Sequence, residues 1–526
     1  MGRICQDLLW AFELISLVTA ACARPPRKQN VEQGIFGLVV IVGVLILATL
    51  VILGLAAGAR ALQSTADSKK VRRPYQERQS ISHDDLVDPQ IRGDHLSYNT
   101  HLHKTFAGRR FVSVEGELGC HVAFQYSVCR DILNDHSSFS SNPYPSERLV
   151  ALNTMDKVDH ARVLRYVQGH YVQGAVEDLQ EQLQSIVTKC TNELEGAARE
   201  GPVDVMIWAK RIHMASTLTR LGVQVSQNSS WDKVDGMVRL NDAMVALVAP
   251  LGGVGLHYSD VSFVHLLAVV KGLLCSIVPL VSMLFRIGLF ATWAIVRPDV
   301  TLLWPSRQPR SGVWWHAHLL PLVPAYFMGL HEMLLTTNGG PLQAIRDGVE
   351  AGGLSMAEAL TLMAQLMVNM TSANALGSLV FRLATEDAAT KMVRQDPSQC
   401  AAFIQEVLRL DAPLQRNPRR VVSLGGRWSE QGLAVGNHVL VFIGAANMDP
   451  DVFESPEQFR LDREAKPLTF GSGIHYCLGS SLVKLEMQLA LDCLLQRFSR
   501  FEVVASNRLD DVDVGNWGFK NLMLKL

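Results

Sequence analysis

Charge of neither sign predominates in this 526-residue chain, where 49 Lys and Arg stand against 50 Asp and Glu for a formal net charge of −1. Without a basic excess the chain lacks the electrostatic footprint of a nucleic-acid binder, and that class of partner is set aside. Charged residues are scarce altogether, 19% against about a quarter in ordinary soluble proteins, while hydrophobic residues reach 48% and mean hydropathy is +0.14. That balance excludes disorder for the bulk of the chain and directs attention to a membrane segment. No two cysteines are spaced as Cys-x-x-Cys. Nine are scattered from Cys5 to Cys493, which argues against a disulfide framework and for reduced thiols in a cytosol-facing protein. No internal repeat is visible.

What is present begins with a run, 34–59, that carries no charged side chain and consists mostly of Val, Ile, Leu, Gly and Ala. About 20 residues at 1.5 Å each cross the hydrocarbon layer, so this run suffices as a transmembrane helix with some tilt. Six basic residues follow it (Arg60, Lys69, Lys70, Arg72, Arg73, Arg78) and four precede it (Arg3, Arg24, Arg27, Lys28). The bias leaves residues 1–33 lumenal or on the membrane surface and puts the long C-terminal part in the cytosol. Residues 60–110 are polar and read as a linker; 111–526 reads as one large catalytic domain. Within it, 264–296 is largely apolar, its only ionisable side chains other than Cys275 being His265, Lys271 and Arg286. Two cations make a second span costly, so this stretch reads as an insertion against the bilayer or over a pocket.

Helical spacing of apolar residues marks 172–197, 356–384 and 399–410. After Pro418 the texture changes to short alternating runs between glycine turns, such as Asn437 to Ile443, which read as strands. The expected fold class is mainly α with a minor β region.

The densest chemistry is the run Phe470-Gly471-Ser472-Gly473-Ile474-His475-Tyr476-Cys477-Leu478-Gly479, followed by a helical stretch from Ser480 to Arg497. Glycines on both sides of one cysteine let the backbone approach a flat ligand, and amides at a helix start stabilise a thiolate. The run resembles the haem-binding loop of the cytochrome P-450 family, Phe-x-x-Gly-x-x-x-Cys-x-Gly, with Phe470, Gly473, Cys477 and Gly479 at its fixed positions. The resemblance implies a single large P-450-type fold, haem b as cofactor, and Cys477 as the proximal thiolate of its iron. It also implies that His475 bonds a haem propionate.

Further strings fit the same family. Glu406-Val407-Leu408-Arg409, 71 residues before Cys477, looks like its Glu-x-x-Arg helix, and Phe459 to Arg463 resembles the segment that supplies a third member. Glu406, Arg409 and Arg463 are then a buried structural network. Asp159-His160-Ala161-Arg162-Val163-Leu164-Arg165 resembles the early helix that sends His-x-x-x-Arg to the haem edge, although Leu164 fills the basic position. His160 and Arg165 are its candidates, and Arg419, ahead of Arg420, is another for a propionate. On the oxygen side the family's Ala/Gly-Gly-x-Asp/Glu-Thr pattern falls on Met367-Val368-Asn369-Met370-Thr371. Thr371 keeps the alcohol that relays protons, while Met370 replaces the acid.

The function implied is a haem-thiolate monooxygenase that takes electrons from an NADPH-cytochrome reductase and oxidises an apolar small molecule. The amino-terminal span resembles endoplasmic-reticulum members. The haem loop and Ala445-Ala446-Asn447-Met448-Asp449-Pro450 look like the soluble bacterial branch, a mixture expected of a tailoring enzyme in secondary-metabolite biosynthesis. Two alternatives stay open: a haem-thiolate isomerase, dehydratase or reductase, which the loss of the acid at Met370 favours, and a non-catalytic haem protein.

Overall fold

The computed structural model describes residues 81–82, 94–115, 119–142, 151–225, 231–252, 322–367, 370–428, 432–508 and 515–526. All of them belong to one unit that starts at Tyr75. The run 34–59 and the apolar stretch 264–296 lie outside the described residues. Among the described residues no helix is long and apolar enough to cross a membrane.

Helices dominate. The first half holds β1 (Ile81–Ser82), α1 (His95–Thr105), β2 (Val112–Glu115), β3 (Cys120–Ala123), α2 (Tyr126–Asn134), β4 (Phe139–Ser140), α3 (Lys157–Leu164), α4 (Gln173–Glu177), α5 (Gln180–Ala198), β5 (Val203–Asp204) and α6 (Val205–Arg220). Then come α7 (Asp232–Gly252), α8 (Leu322–Thr336), α9 (Gly340–Glu350), α10 (Met356–Leu366), α11 (Met370–Thr385), α12 (Asp387–Gln395) and α13 (Cys400–Leu410). The chain ends with β6 (Arg416–Val421), β7 (His438–Phe442), α14 (Ile443–Ala446), α15 (Ser480–Arg497), β8 (Glu502–Arg508) and β9 (Phe519–Lys525).

The strands form a six-stranded sheet in the order β1-β2-β3-β7-β6-β4 and a three-stranded one in the order β5-β9-β8. In the larger sheet β3 and β7 run parallel with Val122 beside Leu440, and β6 and β7 run antiparallel with Arg419 beside Val439. The main apolar core lies among α5, α6, α11, α13 and α15, where Val187, Ala209, Leu376, Phe403, Met487 and Leu491 are fully buried. A stripe of apolar residues three and four apart on each helix produces that layer.

Two sequence expectations change. Residues 60–110 are not linker throughout: β1 pairs with β2, and α1 buries His95, Tyr98, Asn99 and Leu102. The polar composition concealed this because α1 is held by side-chain hydrogen bonds, His95 Nε2 to Leu410 O at 2.9 Å and His103 Nε2 to Ala445 O at 2.8 Å, rather than by a broad apolar face. The stretches 172–197 and 356–384 are each two helices: α4 ends at Glu177 and α5 opens at Gln180, while α10 is capped at Met367 and α11 opens at Met370.

α10 begins with a reciprocal cap: Ser355 Oγ accepts from Glu358 N–H, and the Glu358 carboxylate accepts from Ser355 N–H at 2.8 Å. Glu358 also accepts from Arg162 of α3, and this bond leads the effects that hold its pKa down at about 2. A carboxylate depressed in the folded state stabilises above its ordinary value near 4.5 and loses that contribution as pH falls toward 2. The expected difference between wild type and Glu358→Gln at neutral pH is on the order of 2–3 kcal/mol. Denaturant titrations at pH 7 and pH 3 check it, because the gap between the two proteins must narrow at the lower pH.

Candidate functional site

Cys477 sits between a tight loop and the start of α15. Its N–H donates to Phe470 O at 2.9 Å, closing the loop, and Gly471 and Gly473 take φ of +71° and +73°. At Gly473 a Cβ would stand 2.5 Å from Leu133 O, so α2 leaves no room for a side chain there. Gly479 is different. Its φ of −80° suits any residue, and a Cβ would meet nothing within 4 Å. The protein's own packing does not require glycine at 479; open space lies on that side.

The Cys477 side chain is exposed, yet protein surrounds it closely enough for burial to push its thiol pKa up. Both hold for a side chain that lines an internal space. The amides of Gly479 and Ser480 and the ammonium of Lys484 oppose that shift and favour the thiolate. Lys484 stands one further turn along α15, with Nζ 5.1 Å from the centre of the Phe470 ring.

Behind the loop, Glu406 and Arg409 bind through two bonds of 2.7 Å each, and Arg463 Nε donates to Glu406 Oε1 at 2.9 Å. Glu406 and Arg409 are buried, to 2% and 1% exposure, and the side chain of Arg463 is 7% exposed. One carboxylate cannot neutralise two guanidiniums, and the surplus is spread over carbonyls: Asn447 and Gln458 accept from Arg409, and Glu454, Ser455 and Gln458 accept from Arg463. Asn447 carries the network to the haem-type loop. Its Nδ2 donates to Arg409 O and Thr469 Oγ1, and its Oδ1 accepts from Leu468 N–H at 2.7 Å. The string containing Asn447 stood out in the sequence, but its role needed the fold.

A third group gathers at the other edge. The His160 and His475 rings meet edge to face at 4.5 Å. Arg419 is buried, hydrogen-bonds only Asn417 Oδ1 and Pro418 O, and has no carboxylate at ion-pair distance among the described residues. Burial lowers its pKa to about 10, opposed by Asp156. The His475 pKa falls to about 3, through burial first and then Arg419, His160 and His136. His136, in the turn after α2, joins this edge although no sequence motif pointed to it. Arg420, next along β6, faces elsewhere and donates to Asn142 O at 3.1 Å. Arg165 does not join the cluster. It is exposed, with its guanidinium 4.9 Å from the centre of the Tyr166 ring and bonded to the Tyr166 hydroxyl, because α3 ends at Leu164 and turns it outward.

The arrangement suits a flat cofactor with a thiolate-bound metal and anionic edge groups. Open space faces Gly479, Cys477 lines an internal space, and a buried guanidinium without an anion stands beside imidazoles that can donate to one. Thr371 lies in the first turn of α11, partly buried, with Ser372 and Asn374 buried beside it.

The Cytochrome P450 family model matches residues 398–519, the span that holds Glu406, Arg409, Arg463 and Cys477. That match supports the cytochrome P450 family for the part of the chain it covers. Among relatives of the chain, cytochrome P450 107B1 of Saccharopolyspora erythraea is 32% identical over 44% of the chain and 55% of its own length. The polyketide biosynthesis cytochrome P450 PksS of Bacillus subtilis is 32% identical over 30% of the chain and 37% of its own. The matched part thus spans about half, or less, of these curated relatives. The crystal structure of CYP109E1 from Bacillus megaterium in complex with testosterone shares the P450 fold, with a TM-score of 0.62 at 18% identity over 83% of this chain and 98% of that one. Members of the family bind haem b through a cysteine thiolate.

Proposed function

We propose that this P450 is a monooxygenase of apolar small molecules that holds haem b through Cys477. The observation that carries the reading is the surroundings of Cys477: a lone cysteine in an internal space, with two amides and Lys484 favouring its thiolate. When bound, haem b supplies the activation of dioxygen. Arg419, His160 and His475 hold its propionates; Phe470, Gly473 and Gly479 shape the loop against its face; Glu406, Arg409 and Arg463 keep that loop in place. Thr371 would supply a hydroxyl proton from Oγ1. Electrons come from an NADPH-cytochrome reductase.

The names of the relatives, one concerned with polyketides and one solved with a steroid, support a carbon-rich substrate. A tailoring step in secondary-metabolite biosynthesis follows from that likeness. Consumption of NADPH that requires dioxygen and yields an oxygenated product from extracted metabolites tests the activity.

Thr371→Ala keeps haem but diverts electrons, so hydrogen peroxide released per NADPH rises several-fold while product falls. Equal coupling in Thr371→Ala and wild type would show that Thr371 carries no proton to the site. A second reading rests on Met370, which cannot donate a proton where the family has an acid. An isomerase, dehydratase or reductase needs less proton delivery. Product formation from NADPH without dioxygen, or with neither, would favour it.

Residues 34–59 anchor the protein in the endoplasmic-reticulum membrane with the catalytic unit cytosolic. Carbonate washing leaves the full chain in the pellet, and deletion of 1–59 releases it. Protease added outside sealed microsomes digests the P450 unit; its protection would reverse the orientation drawn from the basic flanks.

A further inference from the structure

The helix α1 carries two buried imidazoles that play no part in the proposed chemistry. His95 and His103 stand eight residues apart, about 12 Å along the helix axis, and their side chains are 9% and 7% exposed. Each ring donates to a main-chain carbonyl, His95 Nε2 to Leu410 O at 2.9 Å and His103 Nε2 to Ala445 O at 2.8 Å. A carbonyl only accepts, so both rings carry a proton on Nε2. Asp411 and Asp449 stand farther off, 3.8 Å and 4.0 Å from the nearest ring nitrogens, beyond hydrogen-bond distance.

Both carbonyls belong to segments of the network behind Cys477. Leu410 is the last residue of α13, directly after Arg409, where helix carbonyls run out of intrahelical donors. Ala445 lies in α14, two residues before Asn447. These two segments are already joined, since Arg409 Nη1 donates to Asn447 O at 2.9 Å and Asn447 Nδ2 donates to Arg409 O at 3.2 Å. α1 joins them a second time. Asn447 in turn holds the chain that enters the loop, accepting from Leu468 N–H at 2.7 Å and donating to Thr469 Oγ1 at 3.0 Å. Thr469 adjoins Phe470, whose carbonyl accepts from Cys477 N–H. From either imidazole to Cys477 the path therefore consists of hydrogen bonds and short stretches of backbone only.

We propose that His95 and His103 are positioning residues for the Cys477 loop: by fixing Leu410 and Ala445 they hold Asn447 and the chain entering Phe470, and so keep Cys477 placed as a thiolate ligand. The inference rests on the haem-thiolate reading. A metal ligand keeps its geometry only as well as the groups behind it are held, and α1, which lies in the stretch that reads as linker by composition, supplies part of that support.

The test is the spectrum of the reduced carbon monoxide complex in the full-length, haem-loaded protein, read as the fraction in the red-shifted band of thiolate ligation and the rate at which that band is lost. His103→Gln places an N–H where Nε2 stood, whereas His103→Asn is too short to reach Ala445 O; His95→Gln and His95→Asn form the same pair at Leu410. Each Asn variant loses the red-shifted band several-fold faster than wild type, and each Gln variant returns toward wild type. Leu102→Ala is the comparator, because Leu102 is fully buried on the same helix and touches the network through no hydrogen bond of its own: it lowers the denaturation midpoint and keeps the band. Asn and Gln variants that behave alike, or a Leu102→Ala protein that loses the band as fast at an equal loss of stability, would reduce the imidazoles to ordinary packing and overturn the proposal. Where His103→Asn takes up no haem, the His95 pair decides. A wild-type protein without the red-shifted band sinks the haem-thiolate reading itself. A normal wild-type band with unchanged variants sinks this inference alone.

Discussion

Cys477→Ala eliminates the strongly red-shifted absorption of the reduced carbon monoxide complex and, with it, all oxygen-dependent turnover. The loss is complete rather than graded because, among the described residues, no second thiol can take over. The other described cysteines (120, 129, 190, 400 and 493) are buried in the packed interior, and burial pushes the thiol of Cys129 above its ordinary range and that of Cys190 to about 12. A thiol held protonated is a poor iron ligand. Cys477→Ser retains the loop, since Cys477 N–H to Phe470 O does not involve the side chain. It still loses the spectrum, which separates ligation from folding. An unchanged spectrum in Cys477→Ala would exclude Cys477 as the ligand.

Glu406→Ala is expected to cost about 3–5 kcal/mol and to yield protein without haem. Typical domains are stable by only about 5–15 kcal/mol, so a loss of this size removes a large share of the total. The physical cause is the pair of guanidiniums left behind. Arg409 is buried, with its pKa already lowered by burial against the pull of Glu406, and Arg463 loses its one carboxylate bond as well. Glu406→Gln keeps the shape without the charge and sits between wild type and Glu406→Ala. Haem content per chain and denaturant midpoints measure both variants. Normal haem loading in Glu406→Ala would reduce the network to an ordinary i,i+3 contact.

The sequence carried the parts of the site whose geometry is local. A loop of ten residues with glycines at set positions contains its own hydrogen bonds, and a Glu and an Arg three apart on a helix meet whatever surrounds them. The helix expected at 399–410 is found at Cys400–Leu410, and the one expected at Ser480 to Arg497 has those bounds. Arg463 was reached through likeness to known chains and lies on Glu406.

Contacts that depend on distant elements were not legible in that way. Arg419 and Arg420 are equivalent as letters; the pleat of β6 sends one inward and the other to Asn142. Arg165 looked like a propionate ligand until the end of α3 turned it to Tyr166. His136 and Asn447 acquire their neighbours only when turns far apart in sequence pack together. The link between α6 and α15 is the extreme case. His213 and Glu486 are 273 residues apart, and nothing in either local pattern distinguishes a buried, paired charge from a solvated one. Sequence fixes spacing within an element, which decided the fold family, the cysteine and the Glu-x-x-Arg pair. Burial and partners across elements are properties of the packed state, and they alone decided which arginine faces the imidazoles.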